Sequence, residues 1–157
     1  EPIMTPTLDP ALSGTLRGVV HVLPVRIYFA DTDAFGVVYH NRYLEYAERA
    51  RTEMLRVLGH VHADMMAGES SSAFVIRRVE ADFRRPAKLD DLLEVRSRLL
   101  AVGGATLDVQ QTVYRPADDL DLVFMTIHLG CVRTDGRPQR MPADLRTTLQ
   151  SLVVQES

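Results

Sequence analysis

The stretch FADTDAFGVVYHNRYLEYAERAR, residues 29–51, decides the fold because a polar turn passes directly into a long helical pattern. Its first part, Asp31 to His40, holds two aspartates, a glycine and a histidine, a composition typical of a loop. From Asn41 to Leu58 apolar residues recur three and four positions apart, which predicts an amphipathic helix with Asn41 as N-cap and Gly59 as C-terminal stop. The apolar stripe consists of Tyr43, Tyr46, Ala47, Ala50, Met54, Leu55 and Leu58.

Charged residues fall mostly on the other faces of this helix. Glu45 and Arg49 lie one turn apart, as do Glu48 and Arg51, and pairs at these spacings are typical of a solvated helix surface. The sequence therefore predicts two surface ion pairs, Glu45–Arg49 and Glu48–Arg51.

The loop before the helix has the residue types that acyl transfer needs. A helix start presents unpaired N–H groups and a partial positive charge, which suit a developing oxyanion. Gly36 allows a close backbone approach, and Asp33 could act on a carbonyl as general base or nucleophile. Asp-x-Asp before glycine is equally a common turn composition. Asp31, Asp33 and His40 could also bind a metal, although no second histidine or cysteine stands at ligand spacing nearby.

The other elements predict an α+β layer fold. The β-branched run Val22 to Ala30 indicates a strand before the loop, and Gly103 with Gly104 marks a hairpin turn. Short turns imply antiparallel neighbours, so one helix packs on one antiparallel sheet, and the sheet's second face or an edge strand calls for a second copy of the chain. The later elements are four strands, Ala73–Phe83, Leu92–Val102, Thr106–Arg115 and Leu122–Thr134, and a closing helix from Pro142 to about Val153.

Length and composition narrow the class of protein. The chain has 157 residues, which suits a single domain, here 18–157, after a Pro-, Thr- and Ser-rich tail that we expect to be flexible through Arg17. The net charge of −3 gives no general affinity for nucleic acid. Because Cys131 is the only cysteine, the chain cannot form an internal disulfide, and this favours a reducing, cytoplasmic compartment. Cys131 stands in an apolar strand pattern and is interpreted as a buried, inert thiol. No apolar run is long enough to span a membrane.

Two further candidates for chemistry carry weaker signals. Ser70 to Ser72 lack the G-x-S-x-G context of a serine hydrolase. His60 and His62 follow the helix and are interpreted as solvated loop residues.

The run VRIYFADTDAFGVVYHNRYLEYAERARTEMLR strongly resembles the hotdog-fold acyl-CoA thioesterases of the 4-hydroxybenzoyl-CoA thioesterase superfamily, closest to the Tol-Pal-associated, YbgC-type branch. The similarity continues through FVIRRVEADFRRPAKLDDLLEV and, weakly, CVRTDGRPQRMP, and covers roughly Pro24 to Leu149. The resemblance implies a long central helix wrapped by an antiparallel sheet. It also implies homodimers joined at sheet edges, often paired into homotetramers, with active sites at the dimer interface.

The resemblance assigns roles residue by residue. Asp33 matches the catalytic aspartate, and His40 matches the histidine whose backbone N–H is the expected oxyanion donor. Asp31 is expected to hold the loop through turn hydrogen bonds. A tyrosine of some relatives is replaced by Phe29, and Tyr28 is expected to face the other side of the strand. Substrate-binding candidates are Gly36, Val37, Val38 and Tyr39 for the acyl pocket and its backbone donors, and Arg84, Arg85 and Lys88 for the CoA phosphates.

Hydrolysis of an acyl-CoA thioester to free acid and CoA is the function that the resemblance implies, with water as co-substrate and neither cofactor nor metal. An acyl-CoA or acyl-carrier-protein binding module is the alternative, and a hotdog dehydratase is a third. The branch leans toward aliphatic acyl groups. A Tol-Pal role rests on neighbouring genes in relatives, and any membrane contact is expected to be peripheral.

Overall fold

One long helix lies against a six-stranded antiparallel sheet. The structure, a computed structural model, describes residues 8–67 and 71–153. Within these ranges no helix is both long and apolar enough to cross a membrane. In chain order the elements are α1 (Pro10–Ser13), β1 (Thr15–Arg17), β2 (Val20–Arg26), a 3₁₀ turn (Phe29–Asp31), α2 (His40–Val57), α3 (His62–Met66), β3 (Ala73–Phe83), β4 (Leu92–Val102), β5 (Thr106–Arg115), β6 (Leu120–Val132) and α4 (Ala143–Ser151).

The strand order across the sheet is β1-β2-β4-β5-β6-β3, and every pair is antiparallel. Strands β4 and β5 alternate between buried and more exposed residues, as expected when one face of a sheet covers a core. The predicted α+β class is confirmed, and the hairpin between β4 and β5 turns at Gly103, whose N–H donates to the Thr106 carbonyl over 2.8 Å. The thiol of Cys131 on β6 is buried, as predicted.

Helix α2 buries the face that its sequence predicts. Every member of the stripe from Tyr43 to Leu55 is buried, and Leu58 is half-buried against the core. The prediction of Asn41 as N-cap was wrong: the helix begins at His40, after Tyr39, and no side chain caps it. The first N–H groups of α2 therefore have no side-chain acceptor at the cap.

Arg51 is buried, although the sequence pattern places it on a solvated face. Its guanidinium donates to Oε1 of Gln111 over 2.9 Å, and the Gln111 amide donates to the Ala47 carbonyl and to Ser97 Oγ, each over 2.9 Å. This buried network ties α2 to β4 and β5. The predicted pairs Glu45–Arg49 and Glu48–Arg51 were wrong, since the ion pairs on α2 are Arg42–Glu45 and Arg56–Glu53.

Strand β2 ends at Arg26, four residues earlier than predicted. The carboxylate of Asp31 accepts the Tyr28 N–H over 2.8 Å and closes a 3₁₀ turn at Phe29–Asp31. Tyr28 and Phe29 therefore do not alternate across a strand, and both side chains are exposed. The last strand also begins and ends two residues earlier than predicted, and α4 is shorter by one residue at its start and two at its end.

The predicted flexible tail divides into two parts. Residues 1–7 lie outside the described residues. Residues 10–17 differ from the prediction, because they form α1 and β1, and β1 pairs with β2 in the register Leu16 to His21. The buried His21 ring bonds to the Ser13 carbonyl over 2.7 Å, which holds this segment on the sheet.

Strand β3 is an edge strand with a long exposed surface. It pairs with β6 on one side, and in the described part of the chain no strand pairs with its other side. Val75, Ile76, Val79 and Phe83 are 36–50% exposed along it. An unpaired apolar edge of this length is the kind of surface that a second chain covers.

Replacing Gln111 tests the buried network. Gln111→Leu leaves the Arg51 guanidinium without its acceptor and the buried Ser97 hydroxyl oxygen without its donor, and each loss is a desolvation cost of a buried polar group. We expect a loss of about 3 kcal/mol in the free energy of unfolding. Urea denaturation measures it, with Gln110→Leu at the adjacent, half-exposed position as control. Equal effects of the two substitutions would contradict the role of the network.

Candidate active site

The loop between the 3₁₀ turn and α2 is closed by its own aspartate. Oδ1 of Asp33 accepts the N–H groups of Phe35, over 2.9 Å, and Val37, over 3.2 Å. The Asp33 N–H donates to the Val37 carbonyl and the Gly36 N–H donates to the Asp33 carbonyl. Gly36 has φ +76, a conformation that side chains other than glycine's rarely allow. The turn interpretation of this aspartate therefore describes one of its two oxygens.

The loop is also pinned to the segment between β3 and β4. Val38 N–H donates to the Ala87 carbonyl and Leu89 N–H donates to the Gly36 carbonyl, both over 3.0 Å. The Ala87 N–H in turn donates to the Tyr43 hydroxyl over 2.8 Å. Loop, connecting segment and α2 thus form one hydrogen-bonded unit.

Counting donors shows which N–H groups are left for a ligand. Those of Gly36, Val37 and Val38 are engaged as above, and that of Tyr39 donates to the Asp31 carbonyl over 3.3 Å. These four N–H groups thus have partners within the protein, and the role of the four residues in shaping the acyl pocket stays a prediction. The N–H groups of His40 and of its neighbour at 41 have no acceptor among the described residues, at the positive end of an uncapped helix.

The two aspartates of the loop differ in the surroundings of their carboxylates. Asp33 is half-buried, and its Oδ2 has no hydrogen-bond partner within the described ranges. Asp31 serves the turn, and it lies beside Tyr46, whose pKa is raised by burial and further by this carboxylate. Arg42 adds a bond to the Ala30 carbonyl over 3.2 Å. Each aspartate thus has one oxygen bonded to backbone N–H groups, and the carboxylate of Asp31 also lies near Tyr46 and Arg42.

The side chain of His40 is exposed and meets the end of the edge strand. Its ring lies 6.2 Å from the Phe83 ring in an edge-to-face arrangement, and Tyr43 lies 6.0 Å from the same ring. The start of α2 and the C-terminal end of β3 are thus in contact.

The three predicted phosphate-binding residues are exposed but do not form one cluster. Lys88 pairs through its backbone with Val37 and stands next to the loop. Arg84 forms an ion pair with Asp82 over 2.9 Å and stacks on Phe124. Arg85 is bound through its backbone N–H to β6. Of the three, only Lys88 stands beside the loop, and it is held there by the hydrogen bonds of its neighbours Ala87 and Leu89.

A cavity of about 300 Å³ lies between the second half of α2 and the sheet. Its polar lining includes Arg51 and His62. Burial lowers the pKa of both side chains, so the imidazole is neutral at neutral pH. The remaining lining residues are Glu48, Thr52, Met54, Leu55, Phe74, Val75, Ile76, Leu107, Val109 and Leu129.

Sequence reasoning missed Arg51 and His62 as residues of this cavity. Arg51 follows Tyr43 and Ala47 at four-residue spacing, which places it on the buried face of the helix. Its charge led to the opposite interpretation, a solvated position. His62 begins α3 instead of lying in a solvated loop, and its Nε2 is buried without a partner among the described residues. The apolar pattern of Val61 to Met66 is the signal for that short helix.

One carboxylate oxygen of Asp31 and one of Asp33 accept backbone N–H groups of the loop. Across residues 8–67 and 71–153, no group of three or more His, Cys, Asp or Glu side chains is placed to hold a metal ion.

Comparisons with known proteins agree on one family. The model of the thioesterase-like superfamily matches residues 27–149. The acyl-CoA thioesterase YbgC of Haemophilus influenzae is 40% identical over 130 residues, which cover 82% of this chain and 93% of that protein. The acyl-CoA thioester hydrolase YbgC of Escherichia coli O6:H1 is 42% identical over 98 residues, covering 62% and 71%.

Solved structures give the same answer for the fold. A probable thioesterase from Bartonella henselae superimposes with a TM-score of 0.74 at 36% identity, covering 78% of this chain and 99% of that one. The predicted hotdog fold is thereby confirmed. By sequence and by structure, the chain belongs to the thioesterase-like superfamily.

Proposed function

We propose that this protein hydrolyses acyl-CoA thioesters to a free acid and CoA at the loop from Asp31 to His40. The observation that carries the proposal is the pairing of one uncommitted carboxylate oxygen, on Asp33, with uncommitted N–H donors at the start of α2. The acyl-CoA substrate is supported by the names of the Haemophilus and Escherichia relatives.

The chemistry follows from these two groups. In one route, Asp33 Oδ2 accepts a proton from a water molecule, and the oxygen of that water attacks the thioester carbonyl carbon. In the other route, Asp33 Oδ2 itself attacks the carbonyl carbon and forms an anhydride, which water then cleaves. In either route the carbonyl oxygen gains negative charge, and the His40 N–H with the helix dipole stabilises it. The C–S bond breaks as the carbonyl re-forms, and CoA leaves as a thiol after protonation.

Asp33→Asn tests the role of the free oxygen. Asparagine keeps an Oδ1 acceptor for the Phe35 and Val37 N–H groups, so the loop keeps its shape while the basic oxygen is lost. We expect kcat/KM for thiol release to fall at least about a hundredfold across acetyl-, hexanoyl-, decanoyl- and benzoyl-CoA.

Asp144→Asn, an exposed aspartate on α4, is the matched control and should keep full activity. If no acyl-CoA is cleaved by the native chain, or if Asp33→Asn is as active as the control, hydrolysis at this loop is wrong. An acyl-CoA or carrier-protein binding module would then be the better description.

The active unit is proposed to be a homodimer joined along β3. This edge has no strand partner among residues 8–67 and 71–153, is eleven residues long and carries Val75, Ile76, Val79 and Phe83 as exposed apolar residues. Two-fold symmetry places two such edges antiparallel, which continues the sheet across both protomers. Assembly into homotetramers, a carrier-protein partner and a Tol-Pal role rest on the sequence resemblance alone, and a cytoplasmic location rests on the single cysteine.

This arrangement brings the loop of one protomer to the cavity of the other. If β3 pairs about its middle, Arg78, then Phe83 lies opposite the partner's Ala73, next to the part of β3 that lines the cavity. Within one protomer, His40 and Arg51 are eleven residues apart on α2, about 16 Å. A six-carbon acyl chain reaches only about 6 Å beyond its carbonyl carbon. We therefore expect the acyl group to enter the partner's cavity.

Charges on the edge should separate the protomers. We expect Ile76→Lys combined with Val79→Lys to shift the protein from dimer to monomer in sedimentation velocity and to lower thiol release in parallel, because like charges would face each other across the two-fold axis. Leu100→Lys, an exposed apolar residue on β4, is the control and should stay dimeric. A native monomer that cleaves acyl-CoA would contradict the arrangement.

Mixed dimers test whether one site uses two protomers. Thr52→Phe fills the cavity and leaves Asp33 intact, whereas Asp33→Asn leaves the cavity open. Refolding the two variants together at equal amounts should restore about a quarter of native hexanoyl-CoA hydrolysis, because half the dimers are mixed and each has one complete site. No recovery above the separate variants would place loop and cavity in the same protomer.

A further inference from the structure

The cavity holds a buried cation that the protein itself only partly satisfies. Arg51 is 8% exposed, and its one side-chain hydrogen bond goes to Gln111, a neutral acceptor. No carboxylate among the described residues forms an ion pair with it. A buried guanidinium has five N–H donors, so several of them remain for whatever fills the cavity.

The other residues that line the cavity indicate which kind of molecule fits in it. Most of the walls are apolar, including Leu55, Phe74 and Leu129, and suit methylene groups. A volume of about 300 Å³ equals roughly ten water molecules, at about 30 Å³ each, and so admits a short or medium acyl chain. A plain alkyl chain would leave the donors of Arg51 facing carbon, at the cost of an unpaired buried polar group.

The charges that line the cavity favour a neutral over an anionic group at the end of the acyl chain. Glu48 lines the same cavity, is exposed, and lies close enough to Arg51 for its charge to favour the guanidinium. A carboxylate at the end of the acyl chain would gain Arg51 but meet this like charge. A hydroxyl or carbonyl oxygen accepts from Arg51 without that repulsion, and the neutral His62 beside it can also donate or accept.

We propose that this cavity selects acyl groups that carry a neutral oxygen, a hydroxyl or a carbonyl, at the far end of a short or medium chain, with Arg51 as the residue that determines the specificity. The proposal rests on the proposed acyl-CoA hydrolysis and names its substrate class. Arg51 acts on the far end of the acyl group and takes no part in cleaving the thioester.

The test compares three CoA esters of equal chain length: hexanoyl, 6-hydroxyhexanoyl and adipoyl. We expect native kcat/KM to be about tenfold higher for 6-hydroxyhexanoyl-CoA than for either other ester. Arg51→Met, which keeps much of the side-chain volume without its donors, should bring the hydroxyhexanoyl-to-hexanoyl ratio to about one. Arg51→Lys, which keeps a charged donor, should retain part of the preference.

The ratio of kcat/KM for 6-hydroxyhexanoyl-CoA to that for hexanoyl-CoA distinguishes a loss of specificity from damage to the fold. If Arg51 only supports the fold, Arg51→Met lowers turnover of both esters by the same factor, and the proposal is wrong. A native ratio of one, or a preference for adipoyl-CoA, overturns it as well. Should Arg51→Met fail to fold, Thr52→Phe serves instead: it should bring the hydroxyhexanoyl-to-hexanoyl ratio to about one, whereas Arg49→Phe, outside the cavity, should keep the native ratio.

Binding distinguishes failure of this proposal from failure of hydrolysis itself. Calorimetry of the three esters with Asp33→Asn protein reports the cavity without any turnover. Tighter binding of 6-hydroxyhexanoyl-CoA supports the specificity even if no ester is cleaved by the native chain, and equal binding contradicts it even if hydrolysis is fast.

Discussion

The hydrogen bonds that close the loop between residues 31 and 39 decide where the chemistry can take place. From Phe35 to Tyr39 each backbone N–H is already bonded to another part of the protein. The next donors along the chain, at the start of α2, have no acceptor in the described structure. The same bonds use one oxygen of Asp33 and leave the other. One carboxylate oxygen and the first N–H groups of α2 thus remain without partners in the described structure, and these are the two groups on which the proposed function depends.

Rigidity is the second consequence of that bonding. The loop is held to Ala87 and Leu89, and Ala87 is held to Tyr43 on α2. A carboxylate fixed in this way loses little freedom when the substrate binds, which is how preorganised groups lower a barrier. Loop, helix start and the segment before β4 therefore have to be understood together, although that segment lies more than forty residues further along the chain than the other two.

Local patterns in the sequence predicted the parts of the fold that depend on local physics. Three- and four-residue spacing gave α2 to within one residue at each end, and β5 has its predicted bounds. The site residues at 33 and 40 came from the motif and its resemblance to a family, since turn composition alone left three interpretations open. Patterns could not show contacts across the fold. Arg51 looked solvated because its partner Gln111 is sixty residues away, and the cavity needs α2, α3 and the sheet at once.

The free edge and the cavity also limit what one protomer can do alone. The donors at His40 and the cavity at Arg51 lie at different ends of α2, too far apart for a short acyl chain to span. Yet β3 touches both: its C-terminal end meets His40 through Phe83, and its N-terminal end lines the cavity. Reversing one β3 against another exchanges these ends. Under the proposed function, an antiparallel edge-to-edge dimer is the arrangement that would bind the carbonyl and the acyl tail of one substrate together, and the exposed apolar edge of β3 supplies the surface that would hold that dimer together.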